Sequence, residues 1–365
     1  PEMSLVPHQP LTITTPYGGT LQVIVPASDA NQTISLTLTR VAQHPVLEDM
    51  ANAAAYVAAL EASPFPFTEV KTPYVQIHSR TDMMLAAINA SPYNGDLAMF
   101  FDYLDQYMIK DTYNLAGFAA DDLSLNSDVQ EFCDSSSWDC TSIGAHGRPA
   151  VQHINVDTYA HCGGGCSGNP YDQAWNLDPV GWGETHEIGH NLQRGRMKIY
   201  AGRSGEISNQ IFPLHKHYVY RQDTGVIKEP DRVSYQATFE VLQSSVGEAD
   251  PIQYVYDAIW SGDGTYDNNG DRMTFYMQVV HTSDDVDYLT SGWDVYTLMY
   301  LQERLFTDAI ADADTWTASK DALGFSTYDA APTGIDGNDF MLVSASFITQ
   351  RDQRPLFALW GITYS

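Results

Sequence analysis

Positive charge is scarce in this chain. Among 365 residues there are 18 Lys and Arg against 46 Asp and Glu, a formal net charge of -28. Nucleic-acid binding needs clustered Lys and Arg against phosphate, so that class is excluded. No run of about 18 apolar residues occurs, so no helix of the chain is expected to span a bilayer. The opening PEMSLVPHQP lacks the basic start and apolar stretch of a signal peptide. We read the chain as a mature product or an excised piece. The acidic excess is foremost a solvation feature. A monomer is expected, and 44% hydrophobic residues allow a sizeable core.

Cysteine is also sparse, four residues in two close pairs. Cys133 and Cys140 bracket CDSSSWDC, and Cys162 and Cys166 bracket CGGGC. Short spacing and an even count predict two local disulfides and an oxidising, extracytoplasmic setting. A four-cysteine structural zinc site is the rival reading, but these spacings are not those of CxxC knuckles.

Three regions follow from the patterning. Residues 1–45 carry a short β-module, with alternating strands between 11 and 41. Residues 46–210 mix helices (47–60, 82–90, 97–113) with strands at TPYVQIHS and at 150–161, an α+β texture. Residues 211–365 read as mostly helical, with candidates at 237–245, 271–281, 293–306 and 339–350. The acidic loop 262–271 (Asp263, Asp267, Asp271) lacks the EF-hand glycine and glutamate and is read as a solvated turn.

The chemistry concentrates in GWGETHEIGHNLQRGR. Asp178-Pro179 suits a helix start and Gly195 its end. On a helix, residues i and i+4 share a face, so His186 and His190 direct their imidazoles at one point, suiting a zinc ion. Glu187 is placed to take a proton from the water that the metal activates. The metzincin pattern would need Gly at 193 and His at 196; Gln193 and Arg196 rule it out. Glu206, with fifteen residues between it and His190, is the favoured third ligand, set in the first turn of a second helix capped by Ser204. His215 and His217 are its rivals. Two His and a Glu leave a fourth position open, as hydrolytic zinc requires.

GETHEIGHNLQ followed by GEISNQIFPLH resembles the HExxH…E signature of the enhancin-like metallopeptidases, peptidase family M60, among the gluzincins. YDQAWNLDPVGWG, TFYMQVVH, RVAQHPVLE and the closing FITQRDQRPLFALWGI extend the likeness over nearly the whole chain. CGGGCSGNPYD is similar to secreted bacterial mucinase lipoproteins related to accessory colonisation factors. The resemblance implies a zincin fold with a mixed sheet and an active-site helix. It also implies a secreted endopeptidase, with one zinc, acting on O-glycosylated, mucin-like proteins. By position His186, His190 and Glu206 would be ligands and Glu187 the base. Trp182 and Gly183 would border the substrate cleft, and the strand at 150–161 would be the edge strand receiving the peptide. The alternative is a non-catalytic glycan-binding adhesin module that keeps the fold. An aminopeptidase is disfavoured, since no GxMEN motif occurs.

Overall fold

Six short strands build one mixed sheet: β1 (Val46–Leu47), β2 (Phe67–Lys71), β3 (Val75–Arg80), β4 (Gln152–Val156), β5 (Gly165–Cys166) and β6 (Tyr171–Gln173). The computed structural model describes residues 3–14, 19–21, 23, 35–120, 122–142, 150–157, 165–228, 232–262, 264 and 267–365. The strand order is β1-β2-β3-β4-β6-β5. β2–β3 and β5–β6 are antiparallel; β1–β2, β3–β4 and β4–β6 are parallel. Alternation along β3 and β4 sends Val75, Ile77, Ile154 and Val156 to one face, where they are fully buried. Helices Ala53–Ala62, Thr81–Asn89 and Leu97–Tyr103 cover that face through Tyr56, Leu60, Met84 and Phe100.

A second core lies among the C-terminal helices Asn269–Ser283, Asp294–Ala309 and Gly337–Thr349, around Phe275, Tyr296 and Phe340. The helix Gly183–Leu192 runs along the seam between the cores. Its Ile188 belongs to the sheet-side core and the preceding Trp182 to the helical one. Arg304, fully surrounded in Asp294–Ala309, crosses the same seam. It donates to the carbonyls of Ala116 (2.8 Å) and Gly117 (2.7 Å), beyond the end of helix Asp111–Leu115. Burial depresses its guanidinium to about 9, the cost of removing that charge from water.

Several expectations need correction. The strand at 150–161 forms over Gln152–Val156, and it is interior, paired with β3 and β6; the sheet edge beside β6 is β5. Residues 158–161 lie outside the described residues. In the described part of 11–41 no strand is present, and Leu11, Ile13, Leu36 and Leu38 are exposed. A period-2 pattern makes a strand only when a partner takes up its backbone groups. The span 97–113 is helical throughout but widens into a π-helical stretch at Leu104–Lys110. β2 escaped notice because Glu69 and Lys71 interrupt its apolar signal, and helix Ser127–Ser135 because its composition is Ser- and Asp-rich.

Cys133 and Cys140 are disulfide-bonded, with Cα atoms 6.1 Å apart. The loop they close holds Trp138, whose indole donates to Ala322 O at 2.8 Å, tying the loop to the helical core. Cys162 falls outside the described residues, and so does its pairing with Cys166. In the acidic loop Asp263 is also outside; Asp267 accepts from Gly264 N, and Asp271 lies in the first turn of Asn269–Ser283.

Replacing Arg304 by Ala strands two buried carbonyls and opens a cavity at the seam. We expect a loss of about 2–4 kcal/mol, read as a lower urea midpoint at unchanged slope.

Candidate active site

The helix Gly183–Leu192 begins a turn later than Asp178-Pro179 and ends at Gln193, whose backbone is extended. What leads into it is held by Glu184, 1% exposed. Its Oε1 accepts from Gln173 Nε2 (3.0 Å), Trp175 Nε1 (3.0 Å) and Asp178 N (2.9 Å). Burial pushes this carboxyl up, against those bonds and the nearby Lys216. Lys216 donates to Thr185 Oγ1 at 2.6 Å and to the carbonyl of Gly181. The first turn is therefore fixed by two buried ionisable groups rather than by a side-chain cap.

His186 and His190 lie one turn apart, ring centroids 4.8 Å from each other. Glu206 comes to both: its Oε2 is 3.3 Å from His186 Nε2 and 3.2 Å from His190 Nε2. Among the described residues this is the one group of three or more His, Cys, Asp or Glu side chains that converges on a point. For bonds near 2.0–2.1 Å, neighbouring ligands of a tetrahedral ion stand about 3.3–3.4 Å apart. The two spacings from Glu206 Oε2 match that requirement, and all three ligand atoms lie within 4.8 Å of one another.

Each histidine is aimed through its other nitrogen. His186 Nδ1 donates to Gln210 Oε1 (3.0 Å) and His190 Nδ1 to Gln193 Oε1 (3.0 Å), which leaves the Nε2 lone pairs for the cluster. Gln193 Nε2 in turn donates to Gly205 O (3.1 Å) and Ser208 Oγ (2.8 Å), and Gln210 Nε2 to Glu206 O (2.8 Å). Both glutamines thus tie the histidines to the segment that carries Glu206. Sequence reasoning missed them, having read Gln193 only as a missing metzincin glycine. An acceptor one turn past the second histidine was the available signal.

That segment approaches closely because the motif's fourth position is glycine. A Cβ at Gly189 would stand 2.9 Å from both Asn209 O and Phe212 Cδ2. Asn209 Nδ2 also donates to His186 O at 3.1 Å. Glu206 itself sits in a turn between the 3-10 segments Ala201–Ser204 and Ser208–Gln210, not in the first turn of a helix. Ser204 does not cap it: its hydroxyl donates back to Ile199 O at 2.5 Å. The carboxylate is placed by tertiary contacts instead.

Burial works to raise the Glu206 carboxyl, but the imidazoles of His186 and His190, which donate to it through Nε2 when doubly protonated, outweigh it and hold it at about 2. Burial moves Glu187 the opposite way: its carboxyl is shifted up, although both histidines pull it down. Glu187 is 9% exposed, and its Oε2 has no hydrogen-bond partner among the described residues. A buried carboxylate oxygen kept without a donor costs stability.

The rival ligands are engaged elsewhere. His215 Nδ1 meets Asp111 Oδ1 at 3.0 Å, and His217 Nε2 meets Val180 O at 3.2 Å, with burial pushing its imidazole down to about 3. Trp182 is 6% exposed, edge-on to His217, with the Arg232 guanidinium 4.8 Å from its ring centre. Gly183 packs on Trp175, whose ring lies 2.5 Å from where a Cβ would be. Both residues lie at the start of the helix, Trp182 in the helical core.

Gly189→Ala must displace Asn209 and Phe212. We expect a loss of about 1–3 kcal/mol, measured by thermal or urea melting. Gln193→Leu and Gln210→Leu should each lower zinc affinity by roughly 10–100-fold, measured by competition with a chromophoric chelator.

Residues 129–361 match the family described as Peptidase M60, enhancin and enhancin-like. The chain is 43% identical over 379 residues to the immunomodulating metalloprotease of Pseudomonas aeruginosa strain PAO1, a match covering 100% of this chain and 40% of that protein. The chain thus spans well under half of that relative's length. Among solved structures it resembles the IMPa metallopeptidase in complex with T-antigen (TM-score 0.81, 44% identity, 89% of this chain and 37% of that one). It likewise resembles IMPa from Pseudomonas aeruginosa in complex with an O-glycopeptide (TM-score 0.82, 43% identity, the same shares). The M60 catalytic domain of Clostridium perfringens ZmpC shares the fold (TM-score 0.52, 14% identity, covering 89% and 54%). With most of its length matched by the family and a close relative along its whole extent, this chain belongs to the enhancin-like M60 metallopeptidases.

Proposed function

We propose that the chain is the catalytic part of a secreted zinc endopeptidase that cuts the peptide backbone of O-glycosylated, mucin-like proteins. The observation that carries this reading is the convergence of His186, His190 and Glu206 beside the unpartnered Glu187 oxygen. The substrate class is supported by the relatives whose structures are in complex with T-antigen and with an O-glycopeptide. The extracytoplasmic setting is supported by the Cys133–Cys140 disulfide.

His186, His190 and Glu206 would hold one zinc ion, which supplies a Lewis acid that lowers the pKa of water and polarises a carbonyl. Glu187 takes the proton of the attacking water at its free Oε2 and passes it to the leaving amine. Its raised affinity for a proton suits the first of these transfers, since a carboxylate of ordinary basicity would take the proton from water less readily. Gln210 and Gln193 keep both imidazoles in the ligating tautomer. The assignment of Trp182 and Gly183 to the cleft rests on their place just before the motif; Trp182 itself is buried in the helical core beneath Arg232. Segments 46–210 and 211–365 act as two halves of one unit, with the catalytic helix in their seam. A purely binding adhesin is disfavoured because it would pay for the desolvated Glu187 without using it.

Glu187→Gln should retain one zinc per chain and lose mucin cleavage by roughly 10²–10⁴-fold. Glu206→Ala should lose the metal, and a chelator should abolish activity that added zinc restores. Metal analysis beside cleavage of a glycosylated mucin and of its deglycosylated form checks all three. Cleavage of the deglycosylated protein at equal rate would remove the glycan from the proposal, and undiminished cleavage by Glu187→Gln would remove the base.

A further inference from the structure

β5 is a poor strand by itself. It pairs Gly165 and Cys166 with Gln173 and Asp172 of β6, at the end of the sheet. Two such pairs do not hold a strand in place. The turn that joins β5 to β6 is held instead, by three groups. Asn169 Nδ2 donates to Val151 O (2.8 Å) and its Oδ1 accepts from His153 N (2.9 Å), so its side-chain amide binds the β4 backbone as a neighbouring strand would. The carbonyl of Gly168 takes two donors: Gln152 Nε2 (2.8 Å) at the start of β4, and Asn191 Nδ2 (2.7 Å) from the catalytic helix. Asn191 Nδ2 also donates to Gln152 Oε1 at 3.0 Å, which closes a ring of three groups.

Asn191 is the telling member of that ring. It is exposed and needs no partner beyond water, yet it directs its amide N–H groups at two acceptors outside its own helix. It also follows His190 directly, so the turn is tied to the helix one residue from the His186, His190 and Glu206 cluster. Of the two edges of the sheet, β1 and β5, it is β5 that this tie fixes against the cluster. An extended peptide adds to a sheet edge by backbone pairing, and the edge then decides which of its bonds stands where. A slip of one residue turns every side chain of the peptide to the other face, and a slip of two presents a different bond.

We infer that Asn191 is a positioning residue: it fixes β5 against the zinc-ligand cluster and so sets the register of a peptide lying on that edge. The peptide's part in this rests on the proposed function; the tie itself does not. The test compares wild type with Asn191→Ala and with Asn191→Asp, which keeps the shape but offers no hydrogen to either acceptor. At an exposed position both variants should fold and hold one zinc. Acetohydroxamate, which needs the metal alone, should bind all three proteins equally. Amide exchange across residues 165–173, followed by mass spectrometry, should quicken up to about tenfold in the variants. On a long O-glycopeptide kcat/KM should fall roughly 10–100-fold, and cuts should spread to bonds that wild type leaves intact. Unchanged exchange overturns the inference, and so does cleavage that is neither slowed nor spread. Loss of zinc or of acetohydroxamate binding overturns it too, since Asn191 would then act through His190 and not through β5. A wild type that cuts no glycopeptide sinks the proposed function and the register with it, and faster exchange in the variants would then leave only the tie standing.

Discussion

Gly189 carries no side chain, and the Asn209 carbonyl and the Phe212 ring fill the space that one would occupy. The rest of the site depends on that contact. It lets the segment following the catalytic helix fold back against it, so that one Glu206 oxygen stands within 3.3 Å of both histidines. A methyl group here would have to push the Asn209 carbonyl and the Phe212 ring away from the helix. The glycine between His186 and His190 is thus fixed by packing.

The same approach explains how the histidines are oriented. Gln193 and Gln210 span the two segments, each accepting from one imidazole and donating into the Glu206 arm. Ligand position and ligand tautomer are therefore set by one interface. At the other end of the helix, buried Glu184 and Lys216 secure the first turn, and Trp175 lies against Gly183. With both ends anchored at the seam of two cores, the site is held by packing that spans the whole molecule.

Much of the scaffold was legible in the residues alone. Helices near 82–90, 237–245, 271–281, 293–306 and 339–350 fall within one to three residues of those observed, because their apolar period is long enough to specify both type and extent. Short strands fared worse. β2 carries charged residues on a partly covered face, and 11–41 has the alternation of strands without a partner in the described residues. The interior place of β4 was not legible either, since strand order depends on which segments meet rather than on the composition of any one.

At the site the division is as clear. Spacing by itself determined that His186 and His190 share a helix face with Glu187 beside them, because helical periodicity is a local property of the backbone. It also excluded the metzincin ligand set. Only the tertiary structure decided which distant group completes the cluster, bringing Glu206 in from a turn and sending His215 to Asp111 and His217 to Val180 O. Only there did the roles of Gly189, Gln193 and Gln210 become visible. Contacts between segments depend on how two surfaces fit, and that fit is a property of the folded chain that no single stretch of residues contains.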